Sequence, residues 1–402
     1  MPSEALERLI EAIVRESGLS REEVLRLIEE ERGKLGGIPS PEVAAYLLAC
    51  KMGIRVELAT ADWGSYLRLS DLMPGMRRVK TLVRVVRVYN TLKFKSKTGE
   101  EKLVARLKVA DGDKEAYLLL WGEKALLALN GLVKPGDLLE VSGAYVKTGR
   151  GGLLEISVSE DSRVTVNPQV KAVNPPLSTS LKAVSDLNAS GGEVDVEGVV
   201  VCAGKSSPRG GRTFFVLADG VKQVKLAFPM GHQALEKLSP GVLVRLYGVR
   251  AARSNLGPPI LYASMWTRVE VVGKGSTVKP FDPICSVSEI GNFIDKAVLC
   301  TFMGVVSREG LVRGEGETSH LAFRVTDGKG EVRVVVWGSH AREVGEVKRG
   351  EVVLVKHGEL RKRGSAVEVH VGSFGYVKKL EKTEIPGELK ELSERLRSTF
   401  DL

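Results

Sequence analysis

An eight-residue segment built around an Asp-Gly pair occurs three times in the 402-residue chain, always at the same separation. The segment reads VADGDKEA, LADGVKQV and VTDGKGEV, and its aspartates, Asp111, Asp219 and Asp327, are each 108 residues apart. In every copy the Asp-Gly pair joins two runs with alternating residue polarity, a pattern typical of a β-hairpin. A repeat of this length predicts a string of globular β domains rather than a thin solenoid.

Each copy has the same order of elements around its hairpin. A first strand precedes the hairpin, and the hairpin's second strand ends in an aromatic residue within LLLWG, KLAFP or VVVWG. A short helical segment and two further strands follow. Strand, strand, strand, helix, strand, strand is the order of the OB-fold, a five-stranded Greek-key barrel. We therefore predict a mainly β chain with three tandem OB-fold barrels.

The two ends of the chain show helical periodicity instead. Near the N-terminus, three short apolar-periodic segments include a Ser-x-x-Glu capping box at Ser20 and Glu23. After Pro386, an amphipathic stripe consists of Leu389, Leu392, Leu396 and Phe400. The predicted domains are a three-helix bundle at 1–58, OB-fold barrels at 68–167, 180–272 and 284–377, and a C-terminal helix at 384–402, with linkers at Val166–Leu177 and Val272–Pro283.

Positive charge is concentrated in the repeated part of the chain. The whole chain carries 59 basic and 50 acidic side chains, for a net charge of +9. Residues 1–67 carry −4, residues 378–402 are neutral, and residues 68–377 carry +13. A basic body between acidic or neutral ends favours a polyanion-binding surface in the barrels.

Composition and cysteine spacing exclude several other classes of protein. The 43% apolar and 27% charged content is that of an ordinary globular chain, and no apolar run is long enough for a membrane span. The four cysteines, Cys50, Cys202, Cys285 and Cys300, form no Cys-x-x-Cys pair and do not combine with histidines at finger spacing. We expect no metal, no cofactor and no membrane contact. Because the N-terminus lacks a secretory signal pattern, we expect a cytoplasmic, nucleoid-associated protein.

With these features the chain resembles archaeal replication protein A over nearly its whole length. The resemblance is carried by the three copies of the Asp-Gly and Trp-Gly pattern and by the N-terminal stretches LSREEVLRLIEEE and PSPEVAAYLLACKMGI. Many members of that family have a cysteine zinc element in the last barrel, which this chain lacks. The resemblance implies single-stranded DNA binding in replication, repair and recombination. It also implies self-association or assembly with other subunits through the C-terminal helix.

We expect the N-terminal bundle to dock replication and repair proteins, because its negative charge would repel DNA. Both ends are thus predicted to be assembly modules that the DNA contact itself does not need. The alternative for the C-terminal helix is that it packs back on the third barrel.

Aromatic residues at the end of the third strand are the first candidates for DNA contact. A sequence-tolerant binder of unpaired bases needs aromatic platforms in a basic groove. Trp337 shares strand parity with Arg333, which places the indole outside the barrel, and Trp121 occupies the same place in the first copy. The alternative is a tryptophan that closes the mouth of the barrel. The resemblance points to the same Trp-Gly position as a base-stacking site.

The second copy is less clear, since Phe228 replaces the tryptophan but has inward parity unless a bulge intervenes. Phe214 on the second strand, at the position of Arg106, or Tyr262 on the fifth strand could provide the platform instead.

Basic residues recur in the same two loops of every copy, those joining strands one and two and strands four and five. The candidates for backbone contact, with one interspersed aromatic residue, are Lys93, Phe94, Lys95, Lys147, Arg150, Lys205, Arg209, Arg212, Arg253, Arg308, Arg313, Arg361 and Arg363. Their recurrence, rather than any one residue, indicates a strand-tracking groove.

The chain shows no Walker loop, no His-Glu-x-x-His and no nucleophile elbow. We therefore predict a binding protein and not an enzyme. Two alternatives remain open at this level. One is an RNA-binding or telomere-end protein with several OB-folds, and the other is a subunit that feeds nucleic acid to a nuclease or polymerase.

Overall fold

A computed structural model describes residues 4–34, 41–52, 54, 66–95, 99–112, 114–149, 152–168, 181–189, 191–204, 211–254, 257–274 and 279–398. By its internal contacts the chain divides into two compact units, Met1–Thr179 and Ser180–Leu402. None of the described helices is long and apolar enough to cross a membrane. The five predicted domain boundaries stay a prediction.

The first unit begins with three helices: α1 (Glu4–Ser17), α2 (Arg21–Lys34) and α3 (Pro41–Lys51). Apolar side chains at helical spacing, among them Ile13, Val24 and Ile28, form a common buried core. The predicted capping box is present, because Ser20 N–H donates to the Glu23 carboxylate at 2.9 Å and Glu23 N–H donates to Ser20 Oγ at 3.2 Å.

Three β-sheets follow, and each contains a closed five-stranded barrel. The strands of the first are β1 (Val79–Lys95), β2 (Glu101–Asp111), β3 (Lys114–Trp121), β4 (Leu138–Thr148), β5 (Leu154–Val158) and β6 (Arg163–Val166), with the short helix α4 (Leu126–Leu129) after β3. Their order is β1-β2-β3-β5-β4-β6, and β1 also pairs with β4, which closes the barrel. Inward-facing residues such as Leu107, Leu118 and Leu120 fill the core, as period-two alternation predicts.

The other two barrels repeat this topology. The second consists of β7 (Leu181–Ala183), β8 (Glu193–Ala203), β9 (Arg212–Ala218), β10 (Gln223–Pro229), β11 (Val242–Ala252), β12 (Ile260–Tyr262) and β13 (Arg268–Lys274). The third consists of β14 (Leu299–Arg308), β15 (Val312–Arg313), β16 (His320–Thr326), β17 (Glu331–Trp337), α5 (Ser339–Val344), β18 (Val352–Arg363), β19 (Ala366–Val371) and β20 (Tyr376–Lys379). Pairing of β8 with β11 and of β14 with β18 closes them. The predicted mainly β fold with tandem OB-fold barrels is confirmed.

The strand that follows the fifth strand of each barrel was not predicted. After its fifth strand each barrel adds a further strand, β6, β13 or β20, along the fourth strand. The predicted linker Val272–Pro283 therefore begins inside β13, and its later part is docked, since Phe281 N–H donates to Asp219 O at 2.7 Å. Most of the other predicted linker, from 169 onward, lies outside the described residues.

The repeated aspartate does more than mark a turn. Its carboxylate accepts a backbone N–H from the segment that enters the same barrel: Leu69 to Asp111 at 2.7 Å, Ser185 to Asp219 at 2.6 Å and Ser288 to Asp327 at 2.9 Å. Burial opposes ionisation of Asp327, but hydrogen bonds from the backbone N–H groups of Ser288, Gly330 and Lys329 and from the Ser288 hydroxyl lower its pKa to about 2. The adjacent glycine has positive φ in two of the hairpins, +66° at Gly112 and +88° at Gly328. Each aspartate thus ties its hairpin to the barrel entrance.

The second and third barrels share a polar and apolar seam within the unit Ser180–Leu402. Gln223, which is fully buried, donates from Nε2 to Phe281 O at 2.8 Å. Its Oε1 accepts the backbone N–H of Val298 at 3.0 Å and of Leu299 at 2.8 Å. Apolar contact between Cys202 and Val216 of the second barrel and Val298 and Leu299 of the third adds to these bonds.

The C-terminal helix α6 (Gly387–Ser398) packs on the third barrel, the alternative that the sequence left open, and its role in assembly stays a prediction. Leu389, Leu392 and Leu396 lie against a patch formed by Val305, Val352 and Ile385. Ser393 Oγ donates to Gly350 O at 2.6 Å. The stripe covers apolar barrel surface that would otherwise meet water. Phe400 lies outside the described residues.

Replacing Gln223 tests the seam. We expect Gln223→Ala to destabilise the unit Ser180–Leu402 by about 2–4 kcal/mol, because the buried N–H groups of Val298 and Leu299 and the half-buried Phe281 carbonyl lose their partner. Chemical denaturation of the full chain and amide hydrogen exchange at Val298 and Leu299 would measure this. Gln233→Ala, at an exposed position of the same barrel, is the control and should change neither. Unchanged exchange in Gln223→Ala would show that the seam does not depend on this side chain.

Candidate nucleic-acid interface

Strand register identifies equivalent positions on the outer faces of the barrels. Trp121, Pro229 and Trp337 each end the third strand, opposite Val104, Arg212 and His320 of the second strand. The tryptophan position of the second barrel is therefore Pro229, not Phe228. Phe228 is fully buried and packs edge-on against Phe215, with ring centroids 6.0 Å apart. Its prediction as a base platform is wrong, because register and not residue type decides which side chain faces outward.

In the first barrel, Trp121 is half-buried and held from two sides. Its Nε1–H donates to Ser157 Oγ on β5 at 2.9 Å. Phe94 contacts it edge-to-face, with ring centroids 5.5 Å apart and an interplanar angle of 83°. Phe94, Lys93 and Lys95 are exposed at the end of β1, so this end of the outer face has aromatic and cationic groups together.

The centre of the same face contains a stack that sequence reasoning only partly anticipated. The guanidinium of Arg106 lies 4.3 Å from the ring centroid of Tyr89 and 4.5 Å from that of Tyr117. Both tyrosines are buried, and Arg87 Nη1 donates to Tyr89 Oη at 3.1 Å. Arg106 is thus part of a packed cation–π cluster beneath the surface groups.

Of the two cations predicted in the loop between the fourth and fifth strands, Lys147 lies within β4 and forms an ion pair with Glu155 of β5 at 2.5 Å. Arg150 lies outside the described residues, as do Lys205 and Arg209 of the second barrel.

In the second barrel the outer face is divided into two halves. At the open half, the ring of Tyr262 lies between two guanidinium groups, with Arg212 at 5.4 Å and Arg250 at 5.6 Å from its centroid. Arg253 is exposed just beyond the end of β11.

The other half of this face meets the third barrel. Lys225 lies 5.0 Å from the ring centroid of Phe214 and 5.4 Å from that of Phe374, and it forms an ion pair with Glu359 at 2.9 Å. Phe374 and Glu359 belong to the third barrel. The predicted platform Phe214 therefore lies beside the seam, on the half that the third barrel adjoins.

The third barrel has an arginine-rich cleft of about 740 Å³ on its outer face. Its lining includes five guanidinium groups and one imidazole, those of Arg308, Arg313, Arg324, Arg333, Arg363 and His320. Leu311 is 62% exposed at the cleft, although it is apolar. Three glutamates also line the cleft, Glu309, Glu346 and Glu368, so the cations outnumber the carboxylates. Strand parity places Arg324 directly opposite Arg333 and could have identified it.

Trp337 is the exposed aromatic residue beside this cleft, at 39% exposure. Its Nε1–H donates to His370 Nδ1 at 3.0 Å, and the two ring planes are nearly parallel, 20° apart, with centroids 6.0 Å apart. His370 Nε2 in turn lies 3.3 Å from Glu368 Oε2, while Glu368 Oε1 accepts from Arg333 at 2.9 Å and Arg363 at 3.1 Å. A continuous hydrogen-bonded chain therefore joins the indole to two cleft arginines.

The protonation states of His370 and Glu368 are consistent with these hydrogen bonds. Burial, reinforced by the positive charge of Arg361, lowers the pKa of His370, so the neutral ring can accept at Nδ1 and donate from Nε2. Burial opposes ionisation of Glu368, but hydrogen bonds from Arg333, Arg363 and His370 outweigh it and lower its pKa. Arg361 itself is exposed and pairs with Glu359 at 3.3 Å. His370 occupies the register position of Ser157, which an alignment of the fifth strands could have revealed.

Among the residues that the structure describes, no group of three or more His, Cys, Asp or Glu side chains is arranged to hold a metal ion. The chemistry of the described outer faces is that of aromatic stacking and cationic contact.

Comparison with known proteins identifies the third barrel. Residues 300–375 match the family model described as an OB-fold nucleic acid binding domain. No curated protein matches the chain by sequence. The third barrel is thus an OB-fold nucleic-acid-binding domain, which agrees with its arginine-rich cleft.

Solved structures similar to the chain include both single barrels and longer assemblies. A chain of a replication protein A heterotrimer bound to ssDNA is 10% identical, with 83% of this chain and 99% of that chain covered and a TM-score of 0.36. The second OB-fold domain of replication protein A from Methanococcus maripaludis is 31% identical over 27% of this chain and 100% of that chain, with a TM-score of 0.22. The Ifi202 HINa domain in complex with 20bp dsDNA is 14% identical over 49% of this chain and 98% of that chain, with a TM-score of 0.33.

Substitution of the aromatic residues distinguishes side chains that contact the oligonucleotide from side chains that stabilise the barrel core. We expect Trp121→Ala and Trp337→Ala each to lose roughly 1–3 kcal/mol of oligonucleotide binding while the fold is retained. Phe228→Ala should instead destabilise the second barrel by about 3–5 kcal/mol. Fluorescence titration and thermal denaturation measure the two effects.

Trp121→Phe and Trp337→Phe, which keep an aromatic face, are the matched controls and should retain most of the binding. Unchanged affinity with a lower melting temperature in either Trp→Ala variant would make that tryptophan a structural plug.

Proposed function

We propose that the chain binds single-stranded DNA without strong sequence preference and protects and presents it in replication, repair and recombination. The observation that carries the proposal is the exposed Trp337 beside the arginine-rich cleft of the third barrel. An indole face stacks on any base, and guanidinium groups attract the backbone phosphates.

The preference for single strands follows from what the indole needs. In a duplex the base faces are stacked on one another, so a platform such as Trp121 or Trp337 gains contact only with unpaired bases. Trp121 with Phe94 and Lys93, and Tyr262 between Arg212 and Arg250, provide the same combination of ring and cation on the other barrels. Ring stacking explains why we propose little sequence preference, since it discriminates weakly between bases.

Family membership and the absence of catalysis are further parts of this proposal. The repeated Asp-Gly and Trp-Gly pattern and the N-terminal helical stretches support membership of the archaeal replication protein A family. We propose that the protein has no chemistry of its own and that its N-terminal bundle recruits protein partners. A nuclease and ATPase assay on the purified chain tests the first point.

RNA is the alternative ligand, because OB-folds accept both nucleic acids. Competition of poly(dT) against poly(U) distinguishes them, and the proposal predicts that poly(dT) competes better.

Binding of oligo(dT) should be much tighter than binding of a duplex of the same length. The affinity should fall with salt, with a slope of about −0.7 in log K against log[salt] for each phosphate contact, so three contacts give about −2. Fluorescence anisotropy between about 50 and 200 mM salt measures both quantities. Equal affinity for duplex, or an affinity that salt does not change, would contradict the proposal.

A further inference from the structure

The platforms of the first and third barrels are held by different hydrogen-bond acceptors at the same register position. Trp121 donates to the Ser157 hydroxyl at 2.9 Å, and Trp337 donates to His370 Nδ1 at 3.0 Å. Ser157 pairs with Leu119 and His370 with Val335, each two residues before the tryptophan. A hydroxyl accepts at any ordinary pH, whereas an imidazole nitrogen accepts only while it is unprotonated.

On the basis of the proposed function, we propose that His370 is a positioning residue that holds Trp337 for base stacking and makes binding by the third barrel pH-dependent. The first barrel, with serine at the same position, is independent of pH in this respect. The bound ligand is the same single strand in both barrels, so the two sites differ in regulation and not in substrate class.

Protonation of His370 would break its hydrogen bond with Trp337 as well as add a positive charge. The neutral ring accepts from Trp337 at Nδ1 and donates from Nε2 to Glu368. The imidazolium has N–H at both positions, so its Nδ1–H would face the indole N–H and the two donors would repel each other. Trp337 is 39% exposed and would be free to leave its position once this bond is lost.

The effect extends to the phosphate-binding groups. Glu368 accepts from Arg333 and Arg363, both of which line the cleft, as well as from His370. The histidine therefore links the ring that stacks a base to the cations that face the backbone. In the first barrel the acceptor is the Ser157 hydroxyl. Serine has no counterpart of the second imidazole nitrogen, through which His370 contacts Glu368.

Charged and titratable groups from four strands face the Trp337–His370 pair. They are Glu368 on β19, Glu359, Arg361 and Arg363 on β18, Arg333 on β17, and His320 on β16. Burial and the charge of Arg361 lower the pKa of His370, and Glu368 and Glu359 oppose this only in part. The transition is therefore expected below the ordinary histidine value of 6.5, with the bond intact above it and lost below it.

His320 must be separated from His370, because its ring centroid lies 5.5 Å from that of Trp337 and it lines the cleft. His320→Gln removes that imidazole and leaves the His370 chain in place. His370→Ser installs the acceptor that the first barrel already uses at the same register position.

The first measurement needs no DNA. The indole N–H resonance of Trp337, assigned with Trp337→Phe, is followed by NMR on the full chain from pH 7.5 to 5. We expect it to shift with a midpoint below 6.5 in the wild type and in His320→Gln, and to stay constant when His370→Ser is added to His320→Gln. The Trp121 indole should stay constant in all three proteins. A constant Trp337 resonance in the wild type, or an equal shift in the double variant, would overturn the proposal.

The second measurement uses oligo(dT), whose bases do not titrate in this range. The Kd of Trp337→Ala is divided by the Kd of the protein that retains Trp337. This ratio measures the contribution of the indole to binding, because the positive charge that both proteins gain at lower pH affects their affinities alike. We expect a ratio of at least about fivefold at pH 7.5 and a smaller ratio at pH 5. In the His370→Ser background the ratio should be the same at both pH values.

The two proposals fail in different ways. If the chain binds duplex and single strands equally, the proposed function is wrong, and the NMR measurement still decides the role of His370. If single strands are preferred but the platform ratio is the same at both pH values in the wild type, the His370 proposal is wrong and the proposed function stands. Loss of the pH dependence in His320→Gln would assign the effect to His320 and overturn the proposal for His370.

Discussion

One carboxylate in each barrel fixes the geometry on which the outer faces depend. The repeated aspartate accepts a backbone N–H from the segment entering its barrel, at Leu69, Ser185 and Ser288 respectively. The hairpin between the second and third strands is thereby anchored at its turn. Because side chains alternate along a strand, a shift by one residue would exchange inner and outer faces. Anchoring the turn therefore decides that Trp121 and Trp337 face outward while Leu118 and Val334 fill the core.

On this common framework the three outer faces have different chemistry. The first combines Trp121 and Phe94 with a buried Tyr–Arg–Tyr stack around Arg106. The second retains Tyr262 between two arginines, and its other half adjoins the third barrel at Lys225. The third has an arginine-rich cleft and an indole that is linked to it through histidine and glutamate. The repeat thus supplies one fold three times, with one face partly used for contact between barrels.

Sequence reasoning predicted what depends on local order and failed where contacts join distant residues. The Asp-Gly hairpins, the strand order and the outward direction of Trp337 follow from alternation within a few residues. Phe228 was misassigned because residue type was matched in place of register, although its inward parity indicated the core. The seam at Gln223, the ion pair of Lys225 with Glu359, and the packing of α6 on Val305 and Val352 join residues far apart in sequence. An apolar stripe shows that a helix needs a covering surface, but it does not show which one.

Photo-crosslinking of a 4-thiothymidine-containing oligo(dT) to the full chain, with the linked peptides identified by mass spectrometry, tests the central claim most directly. The claim is that unpaired bases stack on the outer faces of the barrels, away from the seam. We expect crosslinks in peptides that contain Phe94, Trp121, Tyr262, Leu311 and Trp337. Crosslinks concentrated at Phe214, Lys225 and Phe374, or in the N-terminal helices, with none at Trp121 and Trp337, would contradict it.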